Sequence, residues 1–521
     1  MDLRDAVVVT RRAFALAAAG GMACVSCGSN APSAASGEPP GQAATDASGA
    51  PGEGDAGAGA GDGGPAADAA SLPADGGAPA CPVDDTGLPA EPTIPAACTV
   101  LTATRAVAPG TVPDETSLDT ATIQAALDGC PSGQAVELTS GGAGDAFVTG
   151  PLRIPSGVTL WIDAGTTLFA SRAPSAYGAT CGTSGGSCTP VITVAGADQA
   201  IVGDGVIDGQ GGEPLVGQTQ SWWDTNAATN GAAAIPTLVR VSGATRFTLY
   251  RITLHNAPKF HVALGAKGFV VWGVTIKTPS SATNSQGTAL TASKAHNTDG
   301  IDPGEAASDG YILYSSISDG DDQIAIKGGT GVSNLTIAHD HFGAGHGMSI
   351  GSETSGGVSG VRVYDLSIDG TVANMGGGAS NGIRIKSDPS SGGLVQNVVY
   401  CDVCVRGLVN PIILTPHYTS ATGTLIPEYT GIAIRNFRSM AGSATPTVTL
   451  DGYDATHVLG ITLDNVTVDG ITPANVKAAY ADVTIGPGAV NFSPTGTSVT
   501  LTNGASGAAT PNDCTGKWVT F

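Results

Sequence analysis

The sequence predicts an all-β chain wound as a solenoid of stacked coils, and three observations support this. Short runs of β-branched, aromatic and aliphatic residues recur from about residue 134 onward, punctuated by Gly, Asn and Asp. Their starts repeat: Phe269 follows Phe247 by 22 residues, Leu335 follows Tyr311 by 24, and Val361 follows Leu335 by 26. No helix-length pattern separates them, which disfavours a doubly wound α/β sheet, and a β-sandwich would not keep this period. The 42-residue step from Phe269 to Tyr311 is read as about two coils. Glycine, 76 of 521 residues, suits tight corners between coils.

The first element is an export signal, residues 1–27. Arg11 and Arg12 precede the apolar run Ala15–Ala19, too short to span a membrane, and twin arginines in that place predict the twin-arginine route. Small residues precede Cys24 and Cys27, so a lipid anchor to the membrane at either is one expectation and a freely secreted chain the other. Neither cysteine has the leucine three positions earlier that usually marks such an anchor. The chain is thus expected to be a secreted or surface-tethered monomer of a bacterium.

Residues 28–94 come next. Up to about residue 80 they are Gly, Ala, Ser, Pro and Asp with almost no large apolar side chain, which predicts a disordered, acidic linker. The β-solenoid domain is expected over residues 95–521. At its start, Ile123, Ala126 and Leu127 fall at helical spacing, which predicts a short amphipathic helix with Asp119 or Thr120 at its N-terminus. Eight cysteines follow the signal, and an exported chain makes disulfides the default. Cys98 and Cys130 flank the helix, and Cys181 and Cys188 close a short Gly/Ser loop. Cys401 and Cys404 pair with each other or involve Cys514.

The chain has 44 Asp and Glu against 22 Lys and Arg, a formal net charge of −22. That balance argues against nucleic-acid binding, which needs a basic face. It also requires that any anionic substrate be held by a local basic cluster.

The residues that carry chemistry lie between Asn297 and Lys386. In order they are Asn297-Thr298-Asp299-Gly300, Gly320-Asp321-Asp322, Gly345-His346-Gly347 and Arg384-Ile385-Lys386. Asp321 lies 22 residues after Asp299, and His346 lies 24 after Asp322, about one coil each. Coils stack at roughly 4.8 Å, so three carboxylates fall in one patch. Carboxylates held together push their pKa values apart and can supply one acid and one base. A single Asp in such a turn more often only binds backbone N–H groups; three of them one coil apart, beside a histidine, point to catalysis. Arg384 and Lys386 share strand parity and can face one side together, an arrangement suited to a carboxylate.

These four motifs resemble the polygalacturonase family of glycoside hydrolases, family 28. The resemblance implies a right-handed parallel β-helix of the pectin-lyase-like kind, with a short helix capping its N-terminal end. It implies inverting hydrolysis of α-1,4-galacturonide links in pectin, with polygalacturonate as the polymeric partner and no cofactor or metal. Asp321 is then the general acid, Asp299 and Asp322 hold and deprotonate water, and His346 tunes the carboxylates. Arg384 and Lys386 bind the uronate carboxylate, Tyr418 packs on a sugar ring, and Asn297 and Asp302 shape the site. One departure is Gln323, where many members carry cysteine, so a disulfide there is in doubt. Coil spacing alone would put two carboxylates roughly 5 Å apart, the separation of retaining enzymes; side-chain direction and the third carboxylate favour the inversion implied by the resemblance. The alternatives are a pectate lyase-type elimination and a non-catalytic carbohydrate-binding β-helix. The second has no need of a matched acid and base.

Overall fold

The computed structural model of the protein describes residues 81, 85–372, 381–442, 445–503 and 511–521. The export signal and most of the linker fall on residues 1–80, outside the described residues. Among the described residues there are 31 strands in one continuous sheet, and the strands pair in parallel, each with its counterpart one coil later. The aliphatic runs of the sequence stack as it foretold. Leu160, Ile201, Leu249, Val271, Ile312, Ile337 and Val363 are register partners in succession, and all are buried. Burial of such ladders supplies the main favourable term for a fold in which each coil contacts chiefly its neighbours.

The face that matters most here runs through Val262–Lys267, Ile301–Pro303, Ile324–Ile326, Met348–Ile350, Asn381–Lys386 and Asn410–Thr415. Val262, Ile301, Ile324, Met348, Ile383 and Ile412 are consecutive register partners, all buried. Side chains alternate along a strand, so the neighbours of these inward residues, Asp302, Ser349, Arg384 and Lys386 among them, stand on the outer side.

The 42-residue step is one coil, not two. Val270 pairs directly with Tyr311, so the extra residues form an excursion between Thr275–Lys277 and Ile301–Pro303. That excursion carries a short 3₁₀ turn, Ala292–Lys294. A period count cannot separate a missing strand from a long loop.

A helix occupies Thr120–Gly129, with Ile123 and Leu127 buried. Asp119 stands at its N-cap position, its carbonyl accepting from Ile123 N–H at 3.0 Å, but its side chain does not cap the helix; the carboxylate accepts from Val148 N–H at 2.8 Å. A second helix, Trp222–Ala228, was not foreseen. Its seven residues are too few to show a period, though Ser221 and Asp224 form a full capping box.

Residues 81 and 85–91, inside the stretch read as linker, are tied to the solenoid. Cys81 is bonded to Cys401, and residues 85–91 lie on the solenoid. Asp85 bonds His339 at 2.9 Å and Tyr364 at 3.3 Å, and Glu91 accepts from Tyr250 Oη at 2.7 Å. Composition shows that this stretch has no core of its own, but not that a covalent bond and aromatic partners hold it. Cys401 and Cys404 do not bond each other. Asp402, at φ +52°, turns the chain between them, and Cys404 bonds Cys514. Cys98–Cys130 and Cys181–Cys188 complete the set. The C-terminal segment runs back over the same coils: Lys517 pairs with Asp365, and Arg406 lies 4.2 Å over the Trp518 ring.

The bond Cys81–Cys401 joins residues 320 apart and closes a loop over most of the coils. Closing a long loop typically contributes about 2–4 kcal/mol. Cys81→Ser should therefore lower the thermal midpoint by roughly 5 °C, read by circular dichroism without reductant. An unchanged midpoint would show that the 85–91 contacts alone hold the segment.

Candidate active site

The four motifs meet at the corner that leads into the outer face just described. Asp299 lies two residues before Ile301 and Asp322 two before Ile324, so paired strands set them on adjacent coils. His346 lies two before Met348 and follows on the next coil. Backbone bonds continue through the corner: Gly300 N donates to Asp322 O at 2.9 Å and His346 N to Asp321 O at 2.7 Å. Asp321 and Asp322 are not in a strand but in a bend between Ser316–Ser318 and Ile324–Ile326, which lets both reach one site. Glycine is needed there for space: a methyl on Gly320 would stand 2.3 Å from the Ala295 carbonyl oxygen. A methyl on Gly347, at φ +92°, would likewise stand 2.1 Å from the Gly382 carbonyl oxygen.

The three carboxylates are all buried, and each has different company. Asp322 is the most heavily compensated. Its Oδ1 accepts from Ser349 Oγ at 2.9 Å and from the Arg384 guanidinium, and its Oδ2 from Lys386 Nζ at 3.0 Å. Ser349 also accepts from Arg384 Nε at 3.0 Å. Asp321 is held by backbone. Its Oδ2 accepts from Asn297 N–H at 3.0 Å and its Oδ1 from Asp322 N–H at 3.0 Å, with His346 Nδ1 at 3.2 Å. Asn297 presents that N–H from a left-handed turn, φ +59°, a conformation asparagine tolerates well. Asp299 has the least: Lys327 Nζ lies 3.5 Å from Oδ2, while Oδ1 has no hydrogen-bond partner.

Unequal company sets unequal acidity. Burial pushes Asp299 up to about 7, and the Asp321 charge adds to it against the pull of Lys327. Burial also opposes ionisation of Asp321, but the His346 hydrogen bond and charge, Lys386 and the Asn297 N–H outweigh it and hold the group below the carboxylate range. For Asp322, Arg384 and Lys386 likewise overcome burial, and the group stays ionised. Asp302, outward on the next strand, is raised well above its usual value by burial first and by Asp299 second. Lys327 loses to burial but gains more from Asp299, Asp302 and Glu353, and so stays charged.

Arg384 and Lys386 face one side as their parity required, but they are buried and bonded to Asp322 rather than standing open on a strand. The half-buried Tyr418 ring lies 4.7 Å from Lys386 Nζ and 6.0 Å from Arg384 Cζ, its N–H bonded to the Ser387 carbonyl at 2.9 Å. Every site residue expected from the motifs is thus brought to one place. Three supporting residues were missed. Ser349 bridges Asp322 and Arg384. Lys327 serves Asp299. Gln323, in the place of the family's frequent cysteine, is buried and braces the Gly345–Gly347 turn; it donates to Gly343 O at 3.0 Å and accepts from Gly347 N–H at 2.6 Å. Only the parity of Ser349 and Lys327 relative to the motifs could have signalled them. The Trp222–Ala228 helix adds a wall: Asn226 Nδ2 donates to Asn297 Oδ1 at 3.1 Å.

Ligand atoms of Asp321, Asp322 and His346 lie within 4.8 Å of one another, a spacing that a cation could bridge. The charges of Arg384 and Lys386 already spend both oxygens of Asp322, which disfavours a further cation. The arrangement suits proton transfer instead: ionised carboxylates beside one that holds its proton to near neutrality.

A family model described as glycosyl hydrolases family 28 matches residues 140–486. A polygalacturonase of Ralstonia nicotianae is 42% identical over 435 residues, 74% of this chain and 80% of that one. An endo-polygalacturonase of Pectobacterium carotovorum subsp. carotovorum is 37% identical over 402 residues, covering 74% and 90%. Among solved structures, the polygalacturonase from Erwinia carotovora ssp. carotovora superposes with a TM-score of 0.62 at 33% identity, over 82% of this chain and all of that one.

A carboxyl raised from 3.8 to about 7 binds its proton more tightly folded than unfolded, so its contribution to stability is lost as pH rises through that window. Asp299→Asn should remove this slope. Its thermal midpoint should exceed the parent's at pH 7.5 and approach it at pH 4.5. Parallel midpoints for the two proteins across that range would refute the raised pKa of Asp299.

Proposed function

The chain belongs to glycosyl hydrolases family 28, and on that premise we propose that it hydrolyses the α-1,4-galacturonide links of polygalacturonate with inversion. The observation that carries this reading is the unequal partnering of Asp299, Asp321 and Asp322 in one buried pocket. Hydrolysis needs a proton for the leaving oxygen and a carboxylate to activate water. Asp322, held ionised by two cations, is suited to orient and activate the water. Arg384 and Lys386 serve twice: they fix Asp322, and their positive field attracts the uronate carboxylate to an otherwise acidic protein. Tyr418, beside both cations, offers a face on which a sugar ring can pack. Elimination of the lyase kind is not favoured, since both oxygens of Asp322 are taken by protein cations rather than offered to a metal.

By family resemblance Asp321 is the acid. Without substrate, burial favours the proton on Asp299, and the hydrogen bonds and charge around Asp321 favour its ionised form. The groups titrate as a cluster, and a substrate carboxylate entering beside His346 and Lys386 would draw their charge away from Asp321 and favour its protonation. We therefore place the donor at Asp321 and the water-activating pair at Asp299 and Asp322. The four disulfides fit an oxidising compartment, which supports export of the chain.

Asp321→Asn should lower kcat on polygalacturonate on the order of 10²–10⁴-fold. With a nitrophenyl oligogalacturonide, whose leaving group needs no proton, most of that loss should disappear. Asp299→Asn should lose about as much on both substrates. If Asp299→Asn alone is rescued by the nitrophenyl group, the two roles are exchanged. The first-formed anomer, followed by NMR, should be inverted; a retained anomer would contradict water activation by this pair.

A further inference from the structure

We propose that Lys259 binds a second carboxylate of the substrate, on the side of the acidic cluster opposite Arg384 and Lys386. The proposal rests on the polygalacturonate reading above and deepens it. Lys259 lies three residues before Val262, as Asp321 lies three before Ile324, and Val262 pairs with Ile301, which pairs with Ile324. Lys259 therefore holds the register position of Asp321 two coils earlier. In the other direction, Ile324 pairs with Met348 and Met348 with Ile383, so Arg384 stands about two coils later. The backbone positions of Lys259 and Arg384 thus lie about two coils to either side of the coil that carries Asp321 and Asp322, at roughly 4.8 Å per coil.

The surroundings of Lys259 place it beside the turn that carries Asn297. Its Nζ lies 3.4 Å from the Gly231 carbonyl oxygen and 5.4 Å from the Phe260 ring centre. Gly231 itself adjoins the site: a methyl placed on it would stand 3.8 Å from Asn297 Oδ1, and Asn297 N–H holds Asp321. Partial burial lowers the affinity of Lys259 for its proton, and the nearby Asp299 offsets part of that cost. Among the described residues no carboxylate lies within ion-pair distance of Lys259, whereas Arg384 and Lys386 are bonded to Asp322, and Lys327 lies beside Asp299. A half-buried ammonium whose only close oxygen is a long contact to a carbonyl gains most from an arriving anion. Polygalacturonate has a carboxylate on every sugar, so a chain laid across these coils presents one to each flank.

The test compares Lys259→Met and Lys259→Arg in the full chain, each checked for a parent-like thermal midpoint. On de-esterified polygalacturonate, Lys259→Met should raise KM about tenfold, with kcat within about twofold, and KM should respond less to salt. Lys259→Arg should restore KM to within about twofold. On highly methyl-esterified pectin the parent and Lys259→Met should be alike, because no carboxylate is there to read. A parent-like KM of Lys259→Met on the de-esterified polymer, or the same loss on both polymers, would overturn the proposal. If the parent itself releases no reducing ends from polygalacturonate, the underlying hydrolase reading fails instead, and KM cannot be compared.

Discussion

The burial of three carboxylates within neighbouring turns of one chain is the constraint on which the rest of the site depends. Such a cluster is costly: taken from water, each group either finds a cation, finds N–H donors, or keeps its proton. All three solutions occur here, one per carboxylate. Asp322 has Arg384, Lys386 and Ser349; Asp321 has backbone N–H groups and His346; Asp299 is left largely to itself beside Lys327. Chemically identical side chains become an ionised pair and a neutral acid because their neighbours differ. Proton transfer at one pocket needs this inequality.

The solenoid makes the crowding possible without a dedicated scaffold. Stacked coils bring residues about one period apart to within a few ångströms, and the inward ladder from Val262 to Ile412 fixes which residues face out. A one-residue slip would turn Arg384 and Lys386 into the core and the aliphatics out, so the buried ladder enforces the site register. The disulfides and the two terminal segments tie distant coils together, which a fold held mainly by neighbour contacts otherwise lacks.

Much of this was legible in the sequence, for a physical reason. A repeat of 22–26 residues with apolar runs at fixed phase encodes stacking directly. Asp299, Asp322 and His346 sit at the same phase of successive coils, so their convergence followed from counting. What escaped depended on side chains reaching between coils. The excursion before Ile301 looked like an extra coil because its length is nearly a second period. The packing of residues 85–91 escaped because their partners, His339, Tyr364 and Tyr250, are far away in sequence. Ser349, Lys327 and Gln323 belong to no motif, and their contacts appear only once the coils are stacked. The identity of the protonated carboxyl escaped too, since composition gives all three aspartates the same starting value.

The central claim is that unequal surroundings leave Asp299 protonated to near neutrality while Asp321 and Asp322 are ionised. Carboxyl-labelled aspartate, followed by carbon NMR through a pH titration and compared between the parent and Asp299→Asn, tests it most directly. The account predicts a resonance that titrates near pH 7 and vanishes in Asp299→Asn, separate from that of Asp302, which burial also raises, with Asp321 and Asp322 held below the ordinary aspartate range. Titration of all three carboxyls together in the ordinary aspartate range would contradict it.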